Sequence, residues 1–217
     1  MSAPKPDTTK ETPKQAERRA RIERAAYEVL AEVGYNSASL LAIAKRASAS
    51  NETLYKWYGN KQGLFRALVE SNARDAEEML KAALAAGSDP LDTLAALGPP
   101  LLALVTGERA IMLNRAAAGD VSDTATLGQS IAEAGRETIR PLLVNLFSRA
   151  QTDGVIACDS PEQAAQTYFH LLIGDLQIRR VIGVLATLSD EEIEQRSRTA
   201  LALFERLYVP GNKGARK

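Results

Sequence analysis

The stretch that most constrains this chain of 217 residues is 39–65, SLLAIAKRASASNETLYKWYGNKQGLF. It holds two short helical patterns, a break of small residues at 47–50 between them, and aromatic and lysine residues behind. Ser39 stands where an N-cap belongs for a helix Leu40–Ala47, and Ser50 where one belongs for Asn51–Tyr58. A serine hydroxyl in that place accepts a hydrogen bond from the free amides of the first turn. With about 100° per residue, Leu54 and Tyr58 fall on one side of the second of these helices, with Trp57 beside them. Glu52, Thr53, Tyr55 and Lys56 occupy the other side. One face is free to pack, while the other offers a hydroxyl, a phenol and a cation.

Those residue types reach phosphates and base edges. Two short helices joined by a tight turn can lay the second, N-terminus first, in a major groove. Asn51 sits at that leading end. Lys61 opens the next helical pattern, where a cation opposes the helix dipole and a nearby phosphate would account for it. The charge distribution agrees. Residues 1–66 carry 12 Lys+Arg against 7 Asp+Glu, a balance of +5, and the remainder 15 against 20, a balance of −5. A basic front on an acidic back suits a polyanion at one end only. The same segment read as an ordinary polar face of a helical bundle needs no nucleic acid.

Helical period continues through almost all that follows, so the chain is expected to be all-α. A first helix is expected over Lys14–Val33, with Ile22, Ala25, Ala26, Val29, Leu30 and Val33 as its apolar stripe and Gly34 as a left-handed cap. A long helix is expected over Lys61–Ala86, then Leu91–Leu97, a break at Gly98-Pro99-Pro100, and Leu101–Thr106. Glu108–Ala118 follows, then Asp123–Thr152 with a kink or boundary near Arg140 ahead of Pro141. Ser160 caps Pro161–Val184, and Ser189 caps Asp190–Tyr208. Residues 1–13, with Pro4, Pro6 and Pro13 among Lys and Thr, read as a disordered tail, and 211–217 as another.

Single residues exclude several chemistries. Cys158 is the only cysteine, which excludes an intrachain disulfide and fits a reducing cytoplasm. No apolar run approaches the ~20 residues of a membrane span. One His, one Cys, and no H-E-x-x-H, G-x-S-x-G or phosphate loop leave only carboxylates for catalysis. Glu191, Glu192 and Glu194 favour the start of their helix and need no catalytic explanation. No enzyme, cofactor or metal site is expected.

Residues 18–66, with RIERAAYEVLAEVGYNSASLLAIAKRASAS followed by NETLYKWYGNKQGLF, resemble the DNA-binding domain of the tetracycline-repressor (TetR-type) transcriptional regulators. The run PEQAAQTYFHLLIGDLQIRRVIG resembles the penultimate helix of their AefR-like subgroup. The resemblance implies a three-helix helix-turn-helix domain at 14–60 and a helical ligand-binding and dimerisation domain at 61–210. It also implies that Ser39, Thr53, Tyr55 and Lys61 serve the DNA backbone and that Asn51, Glu52 and Lys56 read bases, with Ser50 counted among the DNA-binding residues as the cap that starts their helix. Leu40, Ile43, Leu54 and Tyr58 match packing positions. Two residues depart from the pattern: Ser48 stands where glycine is usual in the turn, and Leu41 replaces a polar residue that some members use on bases.

The expected partners are a double-stranded palindromic operator, a second copy through the last two helices, and a small, apolar effector. The run at 161–185 is apolar on nearly every side, which suits burial against a copy of itself or inside a monomer core. Met112, Phe147, Phe169 and His170 are the candidate effector contacts, though a lone helix histidine is more often unliganded. The expected action is repression relieved by the effector. A DNA-bound regulator answering to another protein is the alternative.

Overall fold

The computed structural model describes residues 12–121 and 125–211, apart from the side chains of 75 and 134–137. Eleven helical elements lie among these residues, and the chain divides into two compact units, 1–64 and 65–217, with the division inside the fourth helix.

In the first unit, α1 (Pro13–Ser37) opens on a reciprocal cap. The Thr12 hydroxyl accepts from the Gln15 amide at 3.3 Å, and the Gln15 side-chain oxygen accepts from the Thr12 amide at 2.9 Å. Thr12 and Pro13, which composition assigns to the tail, therefore belong to the helix. The rest of the expected tail, like that at 212–217, lies outside the described residues. Ile22, Ala25, Ala26, Val29 and Leu30 are buried as expected, but Val33 is 48% exposed. Gly34 is the reason. At φ 72°, ψ 174° it holds a conformation closed to other L-residues, breaks the helical path and turns Tyr35 into the core instead. Gly34 is thus an internal kink, not a left-handed cap. α2 (Leu40–Arg46) packs on α1 and α3 (Asn51–Tyr58) on α2, with Leu40, Ile43, Ala44 and Leu54 buried. α4 (Lys61–Ala86) begins with Asn60 accepting from the Gly63 amide at 2.8 Å.

The second unit departs from expectation in three places. α5 (Pro90–Thr106) runs unbroken through Pro99 and Pro100. The two prolines remove amides that would bond the carbonyls of Ala95 and Ala96, and both of those residues are solvent-exposed. On that exposed face the lost donors cost less than they would in the core, so the helix continues. The neighbouring Leu94 carbonyl accepts from the buried Tyr168 hydroxyl at 3.1 Å. Gly98 leaves room beside it, since a Cβ there would lie 3.1 Å from both Tyr168 Oη and Ser197 Cβ, tighter than ordinary contact.

After α6 (Glu108–Asp120), the expected single run divides into α7 (Thr126–Glu137) and α8 (Ile139–Thr152). The boundary falls at Thr138, which puts Pro141 in the first turn of α8, where its missing amide costs little. The stretch 122–124, where the sequence pattern places the start of that run, lies outside the described residues.

The penultimate helix is also two: α9 (Pro161–Ile173) ends at Gly174, and α10 (Leu176–Val181) follows. Arg196, from α11 (Asp190–Tyr208), donates to the Leu172 carbonyl at 2.9 Å and so caps α9 from outside it. Arg115 of α6 does the same for α10, bonding the carbonyls of Arg180 and Val181 at 2.9 and 2.8 Å. Arg180 is itself buried, donating to Thr106 O at 3.1 Å and pairing with Glu108.

The core of this unit is aromatic. Phe147 stacks on Phe204 at 5.0 Å, and Tyr168 meets Phe204 edge-on at 5.8 Å. Among the described residues no single helix is long and apolar enough to cross a membrane. α5 and α6 together approach that length, but they are bent by 46° and bury Leu94, Leu97, Leu101, Leu102 and Ile111.

Candidate nucleic-acid interface

The α2–α3 turn and α3 form an uncovered surface whose shape follows from three local devices. Ser39 accepts from the Ala42 amide at 3.2 Å, so its hydroxyl starts α2. Ser50 accepts from the Thr53 amide at 3.1 Å and starts α3. Between them Ser48 takes φ 50°, the left-handed region where a side chain is strained. The turn thus keeps the backbone that a glycine would give and bears the cost of a serine. Ser48→Gly is expected to raise unfolding free energy by about 1 kcal/mol, read from urea unfolding. An unchanged midpoint would show that the turn has adjusted.

On α3, Leu54 is fully buried, while Glu52, Tyr55 and Lys56 are exposed, Tyr55 at 54%. This face is the side the wheel leaves free. Asn51 is half-buried, and its Oδ1 is enclosed without a hydrogen-bond partner among the described residues. Leu41 of α2 is exposed, an apolar side chain at the edge of a polar surface.

Two of the expected phosphate contacts are already engaged within the unit. Thr53 Oγ1 accepts from the Arg18 guanidinium at 2.9 Å and lies 2.8 Å from Ser50 Oγ. Arg18 also lies over the Trp57 ring at 5.6 Å. Lys61 Nζ donates to Tyr35 O at 2.9 Å and Asn36 O at 3.3 Å, and sits over the Tyr35 ring at 4.3 Å. Carbonyls in the last turn of α1 therefore supply the negative end that Lys61 needs at a helix N-terminus. Arg18 is a residue that sequence reasoning misses. Its signal is faint: a long basic side chain on α1, 35 positions from the hydroxyl it holds.

The candidate effector contacts do not converge on one feature. Phe147 is fully buried in the aromatic core, Met112 and Phe169 are half-buried, and His170 is exposed in the last turn of α9. Among the described residues no group of three or more His, Cys, Asp or Glu would hold a metal. Cys158 is half-buried, and burial raises its thiol pKa, with Asp159 and Glu162 adding to the effect. The thiolate is the reactive form, so Cys158 is expected to react with iodoacetamide at pH 8 more slowly than free cysteine. Equal or faster labelling would mark Cys158 as a reactive thiol.

A small three-helix unit presenting a capped helix with one polar face uncovered, joined to a larger helical unit, defines a helix-turn-helix DNA-binding regulator. Comparisons with known proteins give its family. Residues 22–68 match the model of bacterial regulatory proteins of the tetR family, and residues 92–210 match the AefR-like transcriptional repressor C-terminal domain. The chain belongs to the TetR family of transcriptional regulators, with a C-terminal domain of the AefR-like type.

Among its relatives is the HTH-type transcriptional regulator BetI of Stenotrophomonas maltophilia, 33% identical over 81 residues. That match covers 37% of this chain and only 41% of the relative. A TetR-family regulator from Mesorhizobium loti superposes with a TM-score of 0.73 at 24% identity, over 92% of this chain and all of the other. The SmeT–triclosan complex does so with a TM-score of 0.71 at 20% identity, over 92% of this chain and 95% of the other.

Proposed function

We propose that the protein is a homodimeric repressor whose residues 14–60 bind a palindromic operator and whose residues 61–210 pair the subunits and bind a small, hydrophobic effector. The observation that carries this reading is the uncovered Glu52–Tyr55–Lys56 face on a helix whose opposite side is anchored by Leu54. Asn51, Glu52 and Lys56 are assigned to base edges, Ser39, Thr53, Tyr55 and Lys61 to the backbone, and Ser50 to the DNA surface as the cap of α3.

Pairing is supported by exposed apolar side chains on and after the last two helical segments: Ile178, Ile182 (63%) and Val184, with Leu203 and Leu207 of α11. Exposed apolar side chains on the closing helices are the kind of surface that pairing of two copies would cover. One short helix binds weakly, whereas two set about 34 Å apart read successive major grooves.

Triclosan, the small molecule named for SmeT, supports a hydrophobic effector. Met112, Phe147, Phe169 and His170 are the residues assigned to it. Phe147 meets it only when the Phe147–Phe204 stack opens, which links occupancy to a change of helix packing. The effector weakens operator binding by no more than its preference for that second state.

Selection from a random duplex library tests the proposal, with hydrophobic metabolites then screened for release. A symmetric motif is expected, and an unsymmetric one would remove the dimer. Lys56→Gln is expected to alter the selected sequence, whereas Tyr55→Phe weakens operator and random DNA alike. Equal, sequence-independent losses from both would abolish this division of roles.

A further inference from the structure

Along α1, next to the α2–α3 turn, the first unit carries a second basic feature. A cleft of about 460 Å³ between α1 and the α2–α3 turn is lined by Arg21, Arg24, Glu28, Arg46 and Ser48. Arg46 is committed to Glu32 through two bonds of 2.8 and 2.7 Å and to Glu28 at 3.4 Å. These carboxylates hold one wall in place and leave Arg46 with little to offer a ligand. Arg21 and Arg24 differ. Both are exposed, and neither has a hydrogen bond or ion pair among the described residues. They stand three residues apart on α1, one turn beyond Arg18, so Arg18, Arg21 and Arg24 form a stripe along the helix.

This stripe has a defined place relative to α3. Arg18 grips Thr53, and Ser48 of the cleft is two residues before Ser50, the cap of α3. The stripe therefore adjoins the N-terminal end of the recognition helix. Lys61, bound to the carbonyls of Tyr35 and Asn36, stands just past its C-terminal end. A helix lying in a groove meets phosphates at both of its ends, and positioning contacts are needed at each.

We infer that the Arg21–Arg24 cleft is a further phosphate-binding site, occupied by the backbone of duplex DNA flanking the bases read by α3. The inference rests on the DNA-binding reading above. Two unpaired guanidinia suit phosphate because each presents several donors in a fixed fork. The Ser48 hydroxyl in the turn adds a neutral donor.

The test uses the full chain and the double variant Arg21→Gln/Arg24→Gln. Both side chains are exposed and without partners, so an unchanged melting temperature is the control for folding. Binding to random and selected duplexes is followed by fluorescence anisotropy from 50 to 200 mM salt. Each phosphate contact contributes about 0.9 to the slope of log affinity on log salt, or roughly an eightfold change in affinity at 0.1 M. The double variant is therefore expected to bind both duplexes roughly 60-fold more weakly per protomer and with a shallower slope. Wild-type affinity and slope in the variant would overturn the site while leaving the regulator reading intact. Wild-type protein that ignores duplexes at low salt would overturn both. A third arm measures binding of inorganic phosphate alone. Phosphate binding that the variant loses, with DNA affinity unchanged, would assign the cleft to a free anion and overturn the DNA source.

Discussion

Raising salt from 50 to 200 mM is expected to lower affinity for duplex DNA by about four orders of magnitude. Arg18, Arg21, Arg24 and Lys61 flank α3 at its two ends, and the proposed dimer would bring eight such cations to the backbone. At about 0.9 per phosphate the slope is close to −7, and a fourfold rise in salt then costs roughly 10⁴. If only Arg18 and Lys61 met the backbone, the slope would halve and the loss would be nearer 10². Anisotropy titrations on one random and one selected duplex separate the two cases. The slope should be nearly the same on both, because phosphate contacts carry no sequence information. A flat response would remove electrostatic association altogether, and with it the role given to the basic front of the chain.

The legible parts of this molecule are those fixed by neighbours in sequence. Ser39, Ser50, Ser160 and Ser189 each accept from the amide three residues further on, in the helix expected of them. The exposed Glu52–Tyr55–Lys56 face needs only the period of a helix and the apolar Leu54 opposite. What escapes depends on residues far along the chain. Pro99 and Pro100 signal a break locally, yet α5 continues because the carbonyls they orphan belong to the exposed residues Ala95 and Ala96 and its buried side is held by Tyr168. The run at 161–185 reads as one apolar helix, but Arg196 and Arg115 supply caps that divide it. The same holds for the site. Nothing local to Thr53 or Lys61 signals that Arg18 and the last carbonyls of α1 hold them in place within the unit.

Phe204→Ala is expected to destabilise the 65–217 unit by about 3–5 kcal/mol. Phe204 is fully buried, stacks on Phe147 at 5.0 Å, meets Tyr168 edge-on at 5.8 Å and packs against Tyr208 at 4.8 Å. Removing it strips one ring from every pair and leaves a void among side chains that cannot all move inward. Tyr168 is anchored by its bond to Leu94 O, and burial pushes its pKa well above the usual phenol range, so the hydroxyl stays protonated and keeps donating. Chemical denaturation followed by far-ultraviolet dichroism measures the loss. A cost below about 1 kcal/mol would mean that the ring is easily displaced. The same variant also reports on control. If the effector enters by opening the Phe147–Phe204 stack, the truncated protein has already lost that barrier. It should then release DNA at lower concentrations of a hydrophobic ligand than the wild type does. Unchanged ligand sensitivity, alongside the full loss of stability, would place the effector away from the aromatic core and leave Phe204 a purely structural residue.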